Sequence, residues 1–298
     1  MEKHKLGKTG LEVSVLGFGG AEVGFRGGTR ASVGALLNGA LDAGLNVIDT
    51  AECYMTSEDL IGQTVAHRRR DYVLFSKCGH SHGYDDPDWN DVKRLQASLD
   101  RSLQRLRTDH LDLFQLHSCT AEILQRGDVI DFMRKARDAG KTRFIGYSGD
   151  NADALCAVAT GAFDTLQTSV SITDQQSIER LVPEAVKRGM GVIAKRPLAN
   201  VMWAEKDRPD AYYVDYWERL KALKYDFLRG PVGDAVAIAL RFTLSVPGVS
   251  VAIVGTQRPG RWQENARIAD QGPLDQARYD AIRQRWNEIA PPDWIGQV

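Results

Sequence analysis

Hydrophobic and polar positions along the chain alternate between two periods. Short runs rich in Val, Ile, Leu and Phe recur at residues 15–18, 46–49, 73–76, 111–116, 143–146, 164–167, 192–194 and 251–254, each of strand length. Stretches of helical period separate them. In residues 90–107 the apolar positions Val92, Leu95, Leu99, Leu103 and Leu106 recur at steps of three or four, with Asn90 placed to cap the start. In residues 177–188, Ile178, Leu181, Val182, Ala185 and Val186 share a face; Pro183 is expected to kink that helix and Gly189 to take the left-handed position past its end. Asp42-Ala43-Gly44 and Asp138-Ala139-Gly140 each precede a strand and read as helix ends.

Eight strand–helix units within 298 residues predict an α/β fold, a (β/α)8 TIM barrel, with an open doubly wound sheet as the competitor. Residues 4–14 read as a β-hairpin turning at Lys8-Thr9-Gly10, expected to close the barrel's bottom. The segment 200–230, with Trp203, Tyr212, Tyr213 and Trp217, is too long for an ordinary connection and reads as a functional loop bearing a helix. No Pro/Gly/Ser-rich linker divides the chain, so a single domain over residues 1–298 is expected.

Composition narrows the function. At 43% hydrophobic residues the chain can bury a sizeable core, which excludes intrinsic disorder. Thirty-eight basic residues against 39 acidic ones leave no basic footprint, arguing against nucleic acid as a partner. No apolar run reaches membrane-spanning length, and Met1-Glu2-Lys3-His4-Lys5 lacks the apolar stretch of a signal peptide, so a cytoplasmic location is expected. Four cysteines do not suggest a disulfide framework. Oligomeric state has no signal here.

Barrel sites gather where strands end. Asp49 ends the second run, Tyr54 follows it, Lys77 ends the third and His117 the fourth. Singly each has a plain structural reading, as a cap, a packed ring, a solvated lysine or a core histidine. Four polar groups closing adjacent apolar runs make that reading less economical. Asp49-Thr50-Ala51-Glu52-Cys53-Tyr54 followed by Ser57-Glu58 and Gly62, then Ser76-Lys77 and Gln115-Leu116-His117-Ser118, resemble the signatures of the aldo-keto reductases, in order and spacing. The resemblance extends from Leu6-Gly7 to Glu264-Asn265. It implies a (β/α)8 barrel that binds a nicotinamide dinucleotide and reduces aldehydes or ketones, with a small-molecule carbonyl compound as partner. Tyr54 is then the general acid, Lys77 tunes it, Asp49 holds Lys77, and His117 orients the carbonyl oxygen.

The same resemblance implies cofactor contacts. Gly20 and Ala21, in a loop that begins like a dinucleotide motif but has Glu22 where its last glycine belongs, approach the ribose. Asp49 borders the nicotinamide, and Ser148 and Gln167 hold its carboxamide, although the usual asparagine is Gly149 here, with Asp150 next. Gly255, Thr256, Gln257, Arg261, Glu264 and Asn265 match the adenosine-gripping segment. Thr256 and Arg261 would take a 2′-phosphate and Glu264 and Asn265 the adenine, favouring NADPH over NADH. Where relatives carry a stacking aromatic, this chain reads Lys195-Arg196-Pro197-Leu198. Either Lys195 faces solvent, or the cations lie near the cofactor, with Arg196 reaching the pyrophosphate. Cys53, Cys78, Cys119, His80 and His82 show no zinc-ligand spacing, so no metal is expected. A cofactor-binding sensor or regulatory subunit, a use the family includes, is the alternative; the four intact positions favour the enzyme.

Overall fold

A computed structural model describes residues 1–297. Each of the eight apolar runs is a strand: β3 (Leu16–Gly19), β4 (Val47–Asp49), β5 (Val73–Cys78), β6 (Leu111–His117), β7 (Thr142–Ser148), β8 (Thr165–Ser169), β9 (Gly191–Lys195) and β10 (Val249–Gly255), preceded by β1 (Lys3–Lys5) and β2 (Glu12–Ser14). The eight close as a parallel barrel in the order β10-β3-β4-β5-β6-β7-β8-β9, so Ala252 pairs with Leu16. This is the expected (β/α)8 barrel. No helix among the described residues is long and apolar enough to cross a membrane.

Strand period two sorts the side chains. In β6, Leu113 and Gln115 point into the barrel, while Phe114 and Leu116 join the helices outside. The lower lumen is dry, filled by Val47, Phe75, Leu113, Ile193, Val251 and Ile253. Leu6, Leu11 and Val13 of the hairpin β1–β2 pack against it from below, closing the bottom as expected. Apolar packing at one end and polar strand termini at the other give the barrel its polarity.

Two helix readings need correction. The helix of residues 90–107 runs Val92–Leu106, and its cap is Asp91, whose carboxylate accepts from the Lys93 amide. Asn90 is instead taken by Arg126 at 2.7 Å. The helix of residues 177–188 is two pieces, Gln176–Glu179 and Leu181–Lys187, broken at Arg180 (φ −132°, ψ −53°). Pro183 explains the break's position. A proline ring clashes with the carbonyl four residues earlier in a continuous helix, here Glu179, so the chain interrupts between them and Pro183 falls in a first turn that tolerates it. Gly189 takes φ +71° as expected, with Gly189 N–H bonding the Val186 carbonyl and Met190 N–H the Ala185 carbonyl. The long segment does carry a helix, Ala211–Leu223.

Leu113 sits at 0% exposure in the middle of the lumen, where neighbours from several strands converge and cannot collapse into a void. Leu113→Ala is expected to cost about 2–5 kcal/mol of stability, measured by urea unfolding at fixed pH. A loss under 1 kcal/mol would mean the lumen repacks freely.

Candidate active site

The mouth of the barrel begins with a polar layer immediately above the dry one. Asp49 ends β4 and Lys77 lies near the end of the neighbouring β5, both pointing inward. The Lys77 ammonium donates to Asp49 Oδ2 at 2.7 Å and to the Thr50 carbonyl at 2.8 Å. With side chains 1% and 3% exposed, neither charge could persist here alone. Gln115 donates to Gln167 Oε1 at 2.8 Å, and Gln167 donates in turn to Asp49 Oδ2 at 3.3 Å. Gln167, expected to hold a carboxamide, thus has both ends of its amide engaged within this layer. Gln115, named above only as part of a motif, is a further member of this layer.

Tyr54 stands above the pair. The Lys77 ammonium lies over the Tyr54 ring, 5.0 Å from its centroid, and the His117 ring meets Tyr54 edge-on at 5.8 Å. The loop carrying Tyr54 is held from below, where Thr50 donates to Ser57 at 2.9 Å and Ser76 donates to Glu58 at 2.7 Å. A Cβ on Gly20 would come within 2.5 Å of Ser57 Oγ, so only glycine lets the β3 loop lie this close. Burial, then the Asp49 carboxylate, pushes the Tyr54 phenol well above its ordinary value. Lys77 was expected to lower it; Asp49 already matches that lysine's charge, which cancels much of its pull. The phenol therefore keeps its proton at neutral pH.

Burial, with Lys77, His80, Lys195 and Arg196 nearby, drives the His117 imidazolium well below the usual histidine range, so the ring is neutral. His80 donates from Nε2 to the His117 carbonyl at 2.7 Å and stacks on Tyr84 at 4.2 Å, with Trp89 edge-on beneath. Phe25, Met55, Tyr84 and Tyr212 are large and exposed, and Phe25 packs against Tyr54 at 5.8 Å. In the long segment, Trp217 donates to the Glu205 carbonyl under Lys221 and packs its own loop.

The opposite wall is ionic. Lys195 ends β9 and pairs with Asp150 at 2.8 Å, its side chain 13% exposed, so it does not face solvent. Asp150 also accepts from the Thr168 hydroxyl at 2.7 Å and the Ser169 amide at 2.7 Å, and Arg196 lies 3.8 Å away. Burial would raise the Asp150 carboxyl, but Lys195 and Arg196 hold it below the ordinary range. Arg196 adopts φ +57° and turns inward, donating to Ser169 Oγ at 3.0 Å, the Tyr212 hydroxyl at 3.1 Å and the Gln297 carbonyl. After Pro197 and Leu198, positive φ at Ala199, Asn200 and Val201 continues the strain, a common property of functional loops.

Beyond β10, the segment from Gly255 is tied down by Gln257, which donates to the Glu22 carbonyl at 3.0 Å beside the helix Ala21–Phe25. Thr256 Oγ1 accepts from the Arg258 amide, and Arg261 pairs with Glu264 at the start of the helix Arg261–Ala269. Among the buried polar atoms without partners are Ser148 Oγ at the end of β7, Gln115 Oε1 in the polar layer, His80 Nδ1, and both amide atoms of Asn265. The structure thus gathers Asp49, Tyr54, Lys77, His117, Ser148, Gln167 and Lys195 at one mouth. Asp150, unassigned in sequence, joins them.

A sequence profile of the Aldo/keto reductase family matches residues 15–287. L-galactose dehydrogenase of Arabidopsis thaliana is 28% identical over 284 residues, covering 89% of this chain and 87% of that protein. The uncharacterized oxidoreductase YqkF of Bacillus subtilis (strain 168) is 26% identical over 300 residues, covering 95% and 96%. Among solved structures, the holo form of aldo-keto reductase AKR11C1 from Bacillus halodurans superposes with a TM-score of 0.82 at 24% identity, covering 96% of each chain.

Removing one member of a buried ion pair strands the other. Asp150→Ala should therefore destabilise by about 3–5 kcal/mol, while Lys195→Met in the same background should restore part of the loss. A thermodynamic cycle at pH 7 measures the coupling; additive effects would mean the two charges act separately. Because Asp150 is held below its unfolded value, its contribution is complete above about pH 4 and lost as the pH falls further.

Proposed function

The chain belongs to the aldo/keto reductase family, whose members are oxidoreductases that generally bind nicotinamide dinucleotides, and from that premise we propose that it reduces an aldehyde or ketone to the alcohol with NADPH, using Tyr54 as proton donor. The observation that carries this reading is the Tyr54 ring standing over a closed Lys77–Asp49 pair, with the His117 ring edge-on beside it.

Two of the unpartnered groups, Ser148 Oγ and the Asn265 amide, suit a dinucleotide. Ser148 Oγ would hold the carboxamide at the barrel axis, and the Asn265 amide would meet the adenine. A buried polar atom left without a partner costs about 1–3 kcal/mol, so a ligand that satisfies these atoms recovers that cost. Gly20, Ala21 and the 255–264 segment would line the crevice between these ends. Arg261 would exchange Glu264 for a 2′-phosphate, which its planar fork suits. Lys195, matched to Asp150, would add a near-neutral dipole to a bound nicotinamide's surroundings, and Arg196 is engaged by Ser169, Tyr212 and Gln297, which would leave it little reach toward a pyrophosphate.

When bound, the reduced cofactor supplies hydride to the carbonyl carbon. Tyr54 gives its proton to the oxygen, and His117 offers that oxygen a neutral N–H donor. Lys77 steadies the charge left on the tyrosine oxygen, and Asp49 keeps Lys77 ionised and aimed. The exposed collar of Phe25, Met55, Tyr84 and Tyr212 suits a substrate with an apolar body.

Tyr54→Phe should bind NADPH normally, by fluorescence titration, and lose 10²–10⁴-fold in kcat for reduction of an aromatic aldehyde. Unchanged kcat, with chemistry shown to be rate-limiting, would remove Tyr54 from the role. Failure of the wild type to turn over any of a broad aldehyde and aldose panel, despite tight NADPH binding, would favour a cofactor-binding regulatory role.

Arg261→Ala should weaken NADPH binding by about tenfold to a hundredfold and leave NADH nearly unaffected, since only the former carries the 2′-phosphate. Equal losses in calorimetric titration would assign Arg261 to something common to both cofactors.

A further inference from the structure

The proton path above has no use for Cys53, the residue immediately before Tyr54, yet its Sγ lies 3.5 Å from Nδ1 of His117. We propose that Cys53 is a positioning residue whose thiol donates its proton to His117 Nδ1, so that the ring's own proton stays on Nε2, available to a carbonyl oxygen. The inference deepens the reading of His117 as a hydrogen-bond donor and rests on it.

A neutral imidazole has one donor nitrogen and one acceptor nitrogen, and the partner of one decides the state of the other. If Nδ1 carried the proton, it would point at a sulfur, a weak acceptor, and Nε2 would present a lone pair to the substrate oxygen. With the thiol as donor the two nitrogens take the opposite and useful roles. The groups facing the ring from each neighbouring element keep it neutral: Lys77 on β5, His80 in the loop after it, and Lys195 and Arg196 at the end of β9. Tyr54, His80 and Tyr84 pack around it edge-on, and the His80 bond to its backbone carbonyl holds the residue in place.

The sulfur keeps its proton. Burial pushes the Cys53 thiol up to about 11, with Lys77 and a hydrogen bond from the Tyr84 hydroxyl opposing, so at neutral pH it keeps a proton to donate. The same conditions argue against a thiolate–imidazolium pair and hence against Cys53 as a nucleophile. Among the described residues, Cys53 is the one hydrogen-bond partner of the His117 ring.

Long-range ¹⁵N–¹H correlation spectra of the full chain, with His117 assigned by comparison with His117→Gln, read the tautomer without turnover. The wild type and Cys53→Ser should show an unprotonated Nδ1 and a protonated Nε2. Cys53→Val, which keeps the volume and removes the donor, should show a mixture of tautomers. Its kcat for carbonyl reduction should fall by about fivefold, the size of one weak hydrogen bond, with NADPH affinity unchanged, and Cys53→Ser should recover the rate. A protonated Nδ1 in the wild type overturns the proposal, as does a Cys53→Val protein whose tautomer and rate match the wild type. If no substrate is ever turned over, the spectrum still decides the tautomer, so the two readings fail separately.

Discussion

Two lysines stand inside the mouth of this barrel, and neither could keep its charge there unaccompanied. Lys77 is closed onto Asp49 and Lys195 onto Asp150, and each aspartate is fixed by a further donor from β8. A buried ammonium without a partner loses its proton or destabilises the fold by several kcal/mol. Pairing each cation locally keeps both charged while leaving the field at the centre of the mouth modest. Burial first, and then that modest field, set the states of the groups between them: a phenol that keeps its proton, and an imidazole that stays neutral.

The fold was largely legible because a parallel barrel writes its strands as short apolar runs with polar ends, and all eight runs became strands. Asp49, Lys77, His117, Ser148 and Lys195 were readable for the same reason, each standing at or beside the end of a run. What misled was local competition. Asp91 displaced Asn90 as a cap because a carboxylate one position later reached the Lys93 amide while Arg126 claimed the asparagine amide. Pro183 was read as a kink, and its effect fell on the residues before it, where the helix breaks at Arg180.

The site's less legible part lay in pairings across the barrel. Gly149-Asp150 in place of an expected asparagine, and Lys195 in place of an expected aromatic ring, look like two unrelated departures when read along the chain. Folded, they are the two halves of one ion pair, brought together because β7, β8 and β9 are neighbours. Gln167 shows the converse. Its position matched a ligand contact, but Gln115 and Asp49, far away in sequence, engage its amide. Pair identity across strands is set by register, which no single run encodes.

Closure of the barrel between Leu16 and Ala252 also bears on how this protein is made. The pairing joins segments more than two hundred residues apart, a contact with a large entropic cost that forms late in folding. Until β10 docks, β3 and β9 are open edges, and the two ammonium–carboxylate pairs sit beside water rather than inside protein. During synthesis on the ribosome the emerging chain must therefore hold seven strands' worth of unclosed sheet, a template for association with other chains. The demand for chaperone protection should be greatest in that interval, and it ends when the last strand seals the ring.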